Sequence, residues 1–424
     1  MSASSLQKTI DAISSNARKA SAMLFDASSR SIDKCLHEMA RMLDANRGEL
    51  KKENKKDCSA AAKKKLPPAM IERLTLSDKT FGSMIKGLLE VADLNSSVGS
   101  TFDERKRPNG LKIYKTRVPI GVIGIIYESR PDVTVDAAAL CLKARNAVIL
   151  RGGSEAFHTN MALARLFSRA LAHCFLPSNA VQLIPTTDRA AIDLLLKKSD
   201  DVDLIIPRGG ESLIRAVVEK SYIPVIKHYK GVCHVYVSKN ADMKKALPIV
   251  VNAKVQRPGV CNAMETLLLD AKLSTSKKKL IIDALIDRKV TIFGDIVVRK
   301  LYPRSPYMKR ATESDWYAEY LDLKLAVGIV DGVSGAVDHI NTYGSRHTDA
   351  IVTESKSEAA LFCKLVDSSS VMVNASTRFS DGGEYGLGCE IGISTDKLHA
   401  RGPMGIDELT TYKWIVEGNG QIRT

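Results

Sequence analysis

The sequence predicts an α/β protein with two main domains, each containing a largely parallel β-sheet covered by helices. Short apolar runs alternate with helical segments twice, over residues 118–226 and again over residues 234–375. Such alternation is typical of β-α-β units, whose strands are buried on both faces. The length of 424 residues also fits two or three domains, and a hydrophobic fraction of 45% is ordinary for a globular protein.

The first 95 residues are predicted to be helical, because apolar residues recur at spacings of three and four around a break at Pro67–Pro68. A polar stretch at about 98–116, with short alternation at Leu111–Tyr114, predicts a hairpin that projects from the core. The first α/β series follows, with strands predicted at 118–127, 147–150, 181–184, 204–206 and 224–226, and helices at 132–143, 158–173, 190–198 and from 211.

The second series begins at His234, and its helix at 243–254 leads into a loop that carries Cys261. Further apolar runs predict strands at 235–237, 265–269, 290–293, 325–330, 350–353 and 371–373. The last fifty residues are rich in glycine and are predicted to be irregular.

The composition limits the partners of this chain. Its formal net charge of +14 arises partly from lysine clusters, which indicate solvated helix faces or a field that attracts anionic small molecules. An aromatic fraction of 5% and the lack of a recognisable module argue against nucleic-acid binding. No apolar run approaches the roughly 20 residues of a membrane helix, and the N-terminus lacks the apolar core of a secretory signal.

Eight cysteines are dispersed along the chain without a CxxC pair, so neither a zinc site nor a disulfide framework is predicted. This pattern favours a reducing compartment, the cytoplasm.

The stretch 254–262 (KVQRPGVCN) places Cys261 just after a Pro–Gly turn and near Lys254 and Arg257 in sequence. A thiol reacts as the thiolate, and nearby cations lower the pKa of a thiol. Because Pro258 and Gly259 break regular structure, Cys261 is predicted to lie on a loop or at the start of an element. An isolated cysteine is more often a small core residue, so the hypothesis of a nucleophile depends on the neighbouring motifs.

Two glycine loops indicate a nucleotide site. The dinucleotide motif GxGxxG and the P-loop motif are absent. However, Arg151-Gly152-Gly153-Ser154 and Arg208-Gly209-Gly210-Glu211 each place glycines between a predicted strand and the next helix. Exposed amides and the helix dipole favour anions at such positions, which lie at the carboxyl ends of the strands. Ordinary turn chemistry is the alternative explanation.

Six segments, taken together, resemble the gamma-glutamyl phosphate reductase family, a branch of the aldehyde dehydrogenase superfamily that acts in proline biosynthesis. They span most of the chain in the expected order: 118–131 (VPIGVIGIIYESRP), 147–156 (AVILRGGSEA), 203–210 (DLIIPRGG), 255–263 (VQRPGVCNA), 343–351 (YGSRHTDAI) and 390–403 (EIGISTDKLHARGP).

The resemblance implies an aldehyde dehydrogenase-like fold with a Rossmann-like cofactor domain, a catalytic domain and a small oligomerisation hairpin. It implies a helical arm and NADPH-binding domain over 1–233 with the hairpin at about 98–116, and a catalytic cysteine domain over 234–375. The segment 376–424 is expected to return to the cofactor domain and the subunit interface.

The resemblance also implies the chemistry. The Cys261 thiolate attacks L-glutamyl 5-phosphate, phosphate leaves, and NADPH reduces the resulting thioester to L-glutamate 5-semialdehyde. The backbone amide of Cys261 and a side chain of Ser129 or Asn262 are the candidate donors to the oxyanion. Hydrolytic relatives carry a glutamate near residues 226–231, where this chain has IKHYKG; its absence favours reduction over hydrolysis, unless a base comes from elsewhere in the fold.

For the cofactor, Ser154 and Arg151 are expected to accept a 2′-phosphate, which favours NADPH over NADH. Gly152 and the loop Arg208, Gly209 and Gly210 are expected to contact the cofactor as well. Glu319 resembles the superfamily residue that holds the nicotinamide ribose, with a surface glutamate as the alternative.

For the substrate, arginine suits bidentate recognition of phosphate and carboxylate. The candidates are Arg257 and Arg401 first, then Arg130, Arg378 and His399, with Glu128 for the α-ammonium group. For each arginine taken alone, the alternative is a structural ion pair; for His399, the alternative is a capping or packed histidine.

Two other functions remain open. A CoA-acylating aldehyde dehydrogenase uses the same thioester, but the segment 399–403 (HARGP) argues against it. A basic scaffold or nucleic-acid-binding protein is disfavoured by the intact Cys261 loop. By analogy, the hairpin and the C-terminal segment are expected to form a homo-oligomer, a dimer or a tetramer. A kinase domain is not recognised, so a separate glutamate kinase is expected to supply the acyl phosphate.

Overall fold

The computed structural model describes residues 2–128 and 130–423. Its α-helices are α1 Ala3–Phe25, α2 Ser29–Ala45, α3 Arg47–Lys63, α4 Pro68–Leu74, α5 Asp78–Asp93, α6 Pro131–Lys143, α7 Phe157–His173, α8 Ala190–Leu195, α9 Glu211–Lys220, α10 Met243–Val255, α11 Thr275–Ile286, α12 Ile296–Leu301, α13 Glu313–Trp316, α14 Gly332–Tyr343 and α15 Lys356–Leu365. Its strands are β1 Thr101–Lys106, β2 Lys112–Pro119, β3 Val122–Tyr127, β4 Ala147–Arg151, β5 Val181–Leu183, β6 Leu204–Arg208, β7 Cys233–Val237, β8 Met264–Asp270, β9 Thr291–Gly294, β10 Met308–Arg310, β11 Lys324–Val330, β12 Thr348–Val352, β13 Ser370–Val373, β14 Ile393–Ser394, β15 Gly402–Pro403 and β16 Thr410–Glu417.

Helices α1–α5 form the predicted helical arm. Serine hydroxyls of Ser2, Ser28 and Ser77 accept hydrogen bonds from backbone amides in the first turns of α1, α2 and α5, which satisfies donors that a helix start leaves free. One stripe of each of these three helices is buried and joins the core of the first parallel sheet. The arm therefore covers that sheet rather than forming a separate domain core.

The first parallel sheet has the strand order β5-β4-β3-β6, with every adjacent pair parallel. The apolar run at 118–127 is not one strand, because Gly121 divides it with a φ of +132°. A Cβ at Gly121 would lie 2.2 Å from Oδ2 of Asp203, and that carboxylate accepts the Val122 amide at 2.8 Å. The predicted strand at 224–226 was also wrong, since it is reduced to one bridge between Val225 and Ile205.

The second parallel sheet has the strand order β10-β9-β11-β8-β7-β12-β13. Its strands come from residues 264–373 together with β7, and two buried clusters cover its faces. Both sheets and their helices confirm the predicted α/β fold class.

The last fifty residues are less irregular than the sequence predicts. Strand β16 pairs with the whole of β2, from Thr410 opposite Pro119 to Glu417 opposite Lys112, and completes an antiparallel sheet with β1. Ile391, Ala400 and Met404 also enter the core of the first sheet. The prediction failed because most of β16 is exposed, so the strand depends on its partner rather than on an apolar pattern.

The two parallel sheets contribute opposite ends to the site. The glycine loops follow β4 and β6, at the carboxyl ends of the first sheet, whereas Gly231, Cys261 and His347 precede β7, β8 and β12. These three strands are neighbours in the second sheet. Their amino ends therefore bring together side chains that lie far apart in sequence. Within the described residues, no helix has the length and apolar character needed to cross a bilayer.

Candidate active site

Cys261 lies on the loop between α10 and β8, as the Pro–Gly turn predicts. It is a free, half-buried cysteine, and its backbone carbonyl accepts a hydrogen bond from the Cys233 thiol at 3.1 Å. Gly231 packs against the same backbone, since a Cβ at that position would lie 1.9 Å from the Cys261 oxygen. The backbone of the Cys261 loop is therefore fixed from both sides while its thiol stays accessible.

Two histidines flank this thiol, and the sequence did not assign either of them a role. The Cys261 Sγ and one ring nitrogen each of His228 and His347 all lie within 4.8 Å of one another. His228 belongs to the stretch 226–231, where the sequence lacks a carboxylate, and His347 belongs to the segment 343–351. Because the group contains the reactive thiol, we interpret it as a catalytic centre rather than a metal site.

The two imidazoles differ in their environment. His347 is fully buried, and burial lowers its pKa to about 4, so it is neutral near pH 7. Its Nδ1 lies 2.9 Å from the Thr348 hydroxyl. His228 is half-buried, and its Nδ1 lies 2.9 Å from the carbonyl oxygen of Ile393.

Arg378 is a cation that contacts the nucleophile loop on both sides of Cys261. Its Nε donates to Gln256 at 2.8 Å, and its guanidinium also donates to Oδ1 of Asn262. The Asn262 amide donates in turn to the Ser380 carbonyl at 2.8 Å and the residue is only 4% exposed. Asn262 thus holds Arg378 in place, which corrects the expectation that its amide is committed to an oxyanion.

Other arginines reinforce this positive field. Burial lowers the pKa of Arg378, and the nearby charge of Arg257 lowers it further. The pKa of Arg130 is lowered by burial and by Arg208, Arg73 and Arg257. The charge of Arg257 therefore acts on both Arg130 and Arg378, and Arg73, on the helical arm, acts on Arg130 as well. Their role in binding the substrate stays a prediction.

Two of the predicted substrate residues are occupied elsewhere. Arg401 donates to the Asp367 carboxylate at 2.9 Å, and Lys397 also pairs with that carboxylate. His399 is exposed and its Nε2 lies 3.2 Å from the Glu408 carbonyl. Either side chain would have to break these bonds to contact a ligand, and the assignment of both to the substrate stays a prediction.

A cavity of about 370 Å³ lies at the carboxyl ends of β3 and β4, beside α9. Among the residues that line it are Glu128, Arg151, Gly153, Ser154 and Arg189. Glu128 accepts the Gly210 amide at 3.1 Å, so its carboxylate lines this cavity and holds the second glycine loop; its assignment to the substrate stays a prediction.

Arg151 is 8% exposed and donates to the carbonyl oxygens of Gly152 and Thr187 at 2.9 and 3.0 Å. Its guanidinium therefore joins the first glycine loop to the loop after β5. It is less available to a phosphate than the sequence predicts. Ser154 lines the cavity with its hydroxyl 3.4 Å from Glu155. Arg189 lines it too and is exposed, and its guanidinium makes no hydrogen bond or ion pair with the described residues.

The glycines of both loops have steric reasons to be glycine. A Cβ at Gly152 would lie 2.1 Å from the Asn160 amide nitrogen, and one at Gly209 would lie 2.6 Å from the Glu128 carboxylate. A Cβ at Gly210 would meet nothing within 4 Å. The Arg208 side chain lies against the C-terminal segment, where it packs on Gly392 and its guanidinium is 4.0 Å from the Glu390 carboxylate.

Glu319 contacts the backbone just before β7. Its carboxylate accepts the Gly231 amide at 2.8 Å, and burial raises its pKa. Nearby, Leu321 donates its amide to Glu265, whose other carboxylate oxygen binds the buried Lys254 at 2.6 Å. Glu319 is thus not a surface residue, and the Lys254–Glu265 pair ties its loop to the helix before Cys261. Ser129, the other candidate oxyanion donor, lies outside the described residues.

The chain is similar to known proteins in both sequence and fold. The model of the aldehyde dehydrogenase family matches residues 2–291. The gamma-glutamyl phosphate reductase of Geobacter metallireducens is 52% identical over 418 residues, which is 99% of both chains. A crystal structure of gamma-glutamyl phosphate reductase from Thermotoga maritima, 40% identical, covers 98% of this chain and all of that one, with a TM-score of 0.95.

The chain belongs to the gamma-glutamyl phosphate reductase family. Another relative of that name, from Desulfotalea psychrophila, is 50% identical over 419 residues, which is 99% of this chain and all of that one. An acetylating aldehyde dehydrogenase from Geobacillus thermoglucosidasius shares only 18% of the sequence, with a TM-score of 0.72, and therefore shows the fold alone. The aldehyde dehydrogenase family uses NAD(P), which confirms the expected nicotinamide cofactor at that level.

Gamma-glutamyl phosphate reductase activity is expected to be lost in the variant Gly231→Ala. The added Cβ would approach the carbonyl oxygen, carbonyl carbon and Cα of Cys261 to 1.9, 2.6 and 2.8 Å, and these backbone atoms cannot rotate away. A shift of about 1 Å in a reacting group can lower the rate by roughly a hundredfold, so we expect kcat/KM to fall at least that far. Steady-state kinetics on the folded variant measure this effect.

The matched control is Gly48→Ala on the exposed side of α3, where a Cβ would meet nothing within 4 Å. Its activity should stay at the wild-type level. Full activity in Gly231→Ala would contradict the view that this glycine fixes the nucleophile loop.

Proposed function

We propose that this chain reduces L-glutamyl 5-phosphate to L-glutamate 5-semialdehyde with release of phosphate, using NADPH, as the second step of proline biosynthesis from glutamate. The observation that carries the proposal is the Cys261 thiol, which lies beside two imidazoles and next to a cluster of arginines. The thiol provides a nucleophile for an acyl carbon, and the arginines provide the counter-charge for a dianionic phosphate.

In the first step the Cys261 thiolate attacks the acyl carbon and phosphate leaves, forming a thioester. Covalent catalysis of this kind divides one difficult step into two. Arg378, held by Gln256 and Asn262, is placed to stabilise the phosphate. Arg257 and Arg130 are assigned to the remaining negative charge of the substrate, the α-carboxylate included. The Cys261 amide and Ser129 remain the proposed donors to the oxyanion.

The cavity beside β3 and β4 fits the cofactor. The close approaches at Gly152 and Gly209 leave no room for side chains there, so backbone can come near a ligand, as nucleotide loops require. Bound there, NADPH supplies the hydride that reduces the thioester. Arg208, Gly209 and Gly210 contribute the second loop, and Glu319, held against Gly231, is assigned to the nicotinamide ribose.

Preference for NADPH is assigned to Arg189 together with Ser154. Of the cations that line the cavity, Arg151 is bonded to two carbonyls and Lys220 pairs with Asp193 at 2.9 Å, whereas Arg189 has no partner among the described residues. An arginine without a partner can bind a 2′-phosphate through charge-assisted hydrogen bonds.

The variant Arg189→Ala should therefore bind NADPH about tenfold more weakly or worse, because one charged hydrogen-bonding group is lost. Its affinity for NADH should not change. Fluorescence titration of both cofactors without substrate measures this, with Arg288→Ala, just after α11, as an arginine control outside the cavity. An equal loss for NADPH and NADH would contradict the assignment.

The reaction is tested in reverse, because the acyl phosphate cyclises readily. Glutamate 5-semialdehyde, inorganic phosphate and NADP⁺ are mixed with the protein, and the absorbance of NADPH is followed. NADPH formation that requires phosphate is the expected result. NADPH formation without phosphate would indicate a hydrolytic dehydrogenase, and formation that requires CoA in place of phosphate would indicate an acylating one. No turnover with any small aldehyde would refute the enzymatic proposal.

We also propose a homo-oligomer, a dimer or a tetramer, and action in the cytoplasm, with no nucleic-acid or membrane partner. Exposed aromatic side chains of Phe102, Tyr412 and Trp414 lie on the β1-β2-β16 sheet, and such a surface is typical of a protein interface. A separate glutamate kinase is proposed as the source of the acyl phosphate.

A further inference from the structure

We propose that His228 is the acid–base group that exchanges a proton with the Cys261 thiol and with the departing phosphate. This inference deepens the proposed function and depends on it for the identity of the substrate. It starts from the 4.8 Å cluster of the Cys261 sulfur with one nitrogen of each histidine. A catalytic base must lie within reach of the proton that it takes, directly or through one water, and this requirement is geometric first.

The hydrogen bond of His228 defines which nitrogen is free. Its Nδ1 lies 2.9 Å from the Ile393 carbonyl oxygen, and a carbonyl only accepts, so Nδ1 carries a hydrogen and donates. In the neutral ring the lone pair therefore resides on Nε2. Nε2 can accept a proton from the thiol and later return it, while the Nδ1 hydrogen bond keeps the ring in place.

The loop around His228 is held by the segment after β14. The Lys227 amide and ammonium both donate to the Asp396 carboxylate at 3.0 Å, and the Lys227 carbonyl accepts the Thr395 amide at 3.2 Å. With the Ile393 contact, these bonds fix the backbone and one ring edge of His228. A base that is fixed in this way is preorganised for proton transfer.

His347 is less suited to the same task, although it belongs to the cluster. It is fully buried, its Nδ1 lies against the Thr348 hydroxyl, and burial lowers its pKa to about 4. It therefore remains neutral and has no route to exchange protons with solvent. We assign it the positioning of His228 and Cys261, through an edge-to-face contact in which the two imidazole centres are 5.6 Å apart.

The groups that set the electrostatics around the two imidazoles come from several elements. Lys227 and Asp396 neutralise each other beside His228. Glu390, Asp349, Glu319 and Arg208 all act on His347, and Arg378 acts on Cys261. Any pH dependence of the thiol must therefore be compared between variants that leave these charges unchanged.

The proton balance is simple. When Sγ bonds to the acyl carbon and the carbon–oxygen bond to phosphate breaks, the thiol proton passes to Nε2 and from there to the phosphate oxygen, so phosphate leaves as HPO₄²⁻. After hydride addition to the acyl carbon, the carbon–sulfur bond breaks and the aldehyde forms. Solvent then protonates Nε2 of His228, and the thiolate takes that proton, which restores the thiol and the neutral imidazole. One hydride and one solvent proton are consumed for each acyl phosphate.

The test uses His228→Asn, because an amide nitrogen can still donate to the Ile393 carbonyl while no base remains at the other end. Alkylation of Cys261 by iodoacetamide is followed on its peptide by mass spectrometry from about pH 5 to 8, without cofactor or substrate. At every pH in this range the variant should react more slowly than the wild type, because the group that takes the thiol proton is missing. Its kcat in the reverse assay should fall roughly 10²–10⁴-fold, the usual contribution of acid–base catalysis.

Three comparisons make the result decisive. His173→Gln, an exposed histidine on α7 that pairs with Glu38, should behave as the wild type in both assays. Free imidazole should restore part of the activity of His228→Gly. A wild-type alkylation profile together with wild-type turnover in His228→Asn would overturn the proposal. Histidine-dependent alkylation without any phosphate-dependent turnover in the wild type would instead refute the proposed substrate while leaving the Cys261–His228 pair intact.

Discussion

The variant Cys261→Ala is expected to lose phosphate-dependent NADPH formation completely, a fall of at least about 10⁴-fold, because no other group can form the thioester. The thiol is half-buried on a loop, so the fold should survive and the melting temperature should change little. The reverse assay and a thermal melt of the same preparation measure both quantities.

Cys363→Ala is the matched control, since Cys363 is an exposed free cysteine on α15. It should retain wild-type turnover. Substantial phosphate-dependent turnover in Cys261→Ala would mean that hydride reaches the acyl phosphate directly, and the covalent mechanism would be abandoned.

The second large effect concerns stability and is expected for Lys254→Met. Lys254 and Glu265 are both fully buried and their charged atoms lie 2.6 Å apart. Removing one partner leaves an uncompensated charge in the interior, which costs about 3–5 kcal/mol of the free energy of unfolding. Because Glu265 also accepts the Leu321 amide, the loop that carries Glu319 should loosen as well. Urea denaturation measures the loss.

The pH dependence of this loss has a definite sign. Burial raises the pKa of the Glu265 carboxyl, and Lys254 opposes that rise. Without the lysine, the folded pKa lies still further above the unfolded value of about 4.3. The variant's stability is then greatest below the unfolded pKa and is lost as the pH rises through the folded pKa. Destabilisation should therefore be smallest in mild acid and grow toward alkaline pH.

The double variant Lys254→Met, Glu265→Leu provides the control, since apolar replacement of both partners of a buried pair is often neutral or stabilising. It should recover most of the lost stability. If the single variant unfolds like the wild type at neutral pH, the pair does not hold a buried charge.

Much of the fold was readable from periodicity. The strands β4, β6, β8, β11 and β12 are buried along most or all of their length, and such strands appear in sequence as continuous apolar runs. Strand β16 was missed because most of its residues are exposed, and its existence depends on pairing with β2. The run at 118–127 was taken as one strand because the backbone turn at Gly121 is set by Asp203, 82 positions later in the sequence.

The same difference between local patterns and contacts distant in sequence applies to the site. Cys261 and the two glycine loops were found because each is a local motif, with its turn residues adjacent in sequence. The contacts of Arg401 with Asp367 and of Glu128 with the Gly210 amide were not predicted, because these partners are distant in sequence. The choice between an ion pair and a ligand contact is made by those distant groups.

By itself, then, the sequence determined the α/β class and indicated a candidate nucleophile and two loops that favour an anion, because local chemistry and hydrophobic period specify these features. Only the tertiary structure decided that His228 and His347 converge on Cys261, and that Arg378 rather than Arg401 lies beside the nucleophile loop. The reason is physical: neighbouring parallel strands β8, β7 and β12 bring their amino ends together, and no local pattern records which strands will be neighbours.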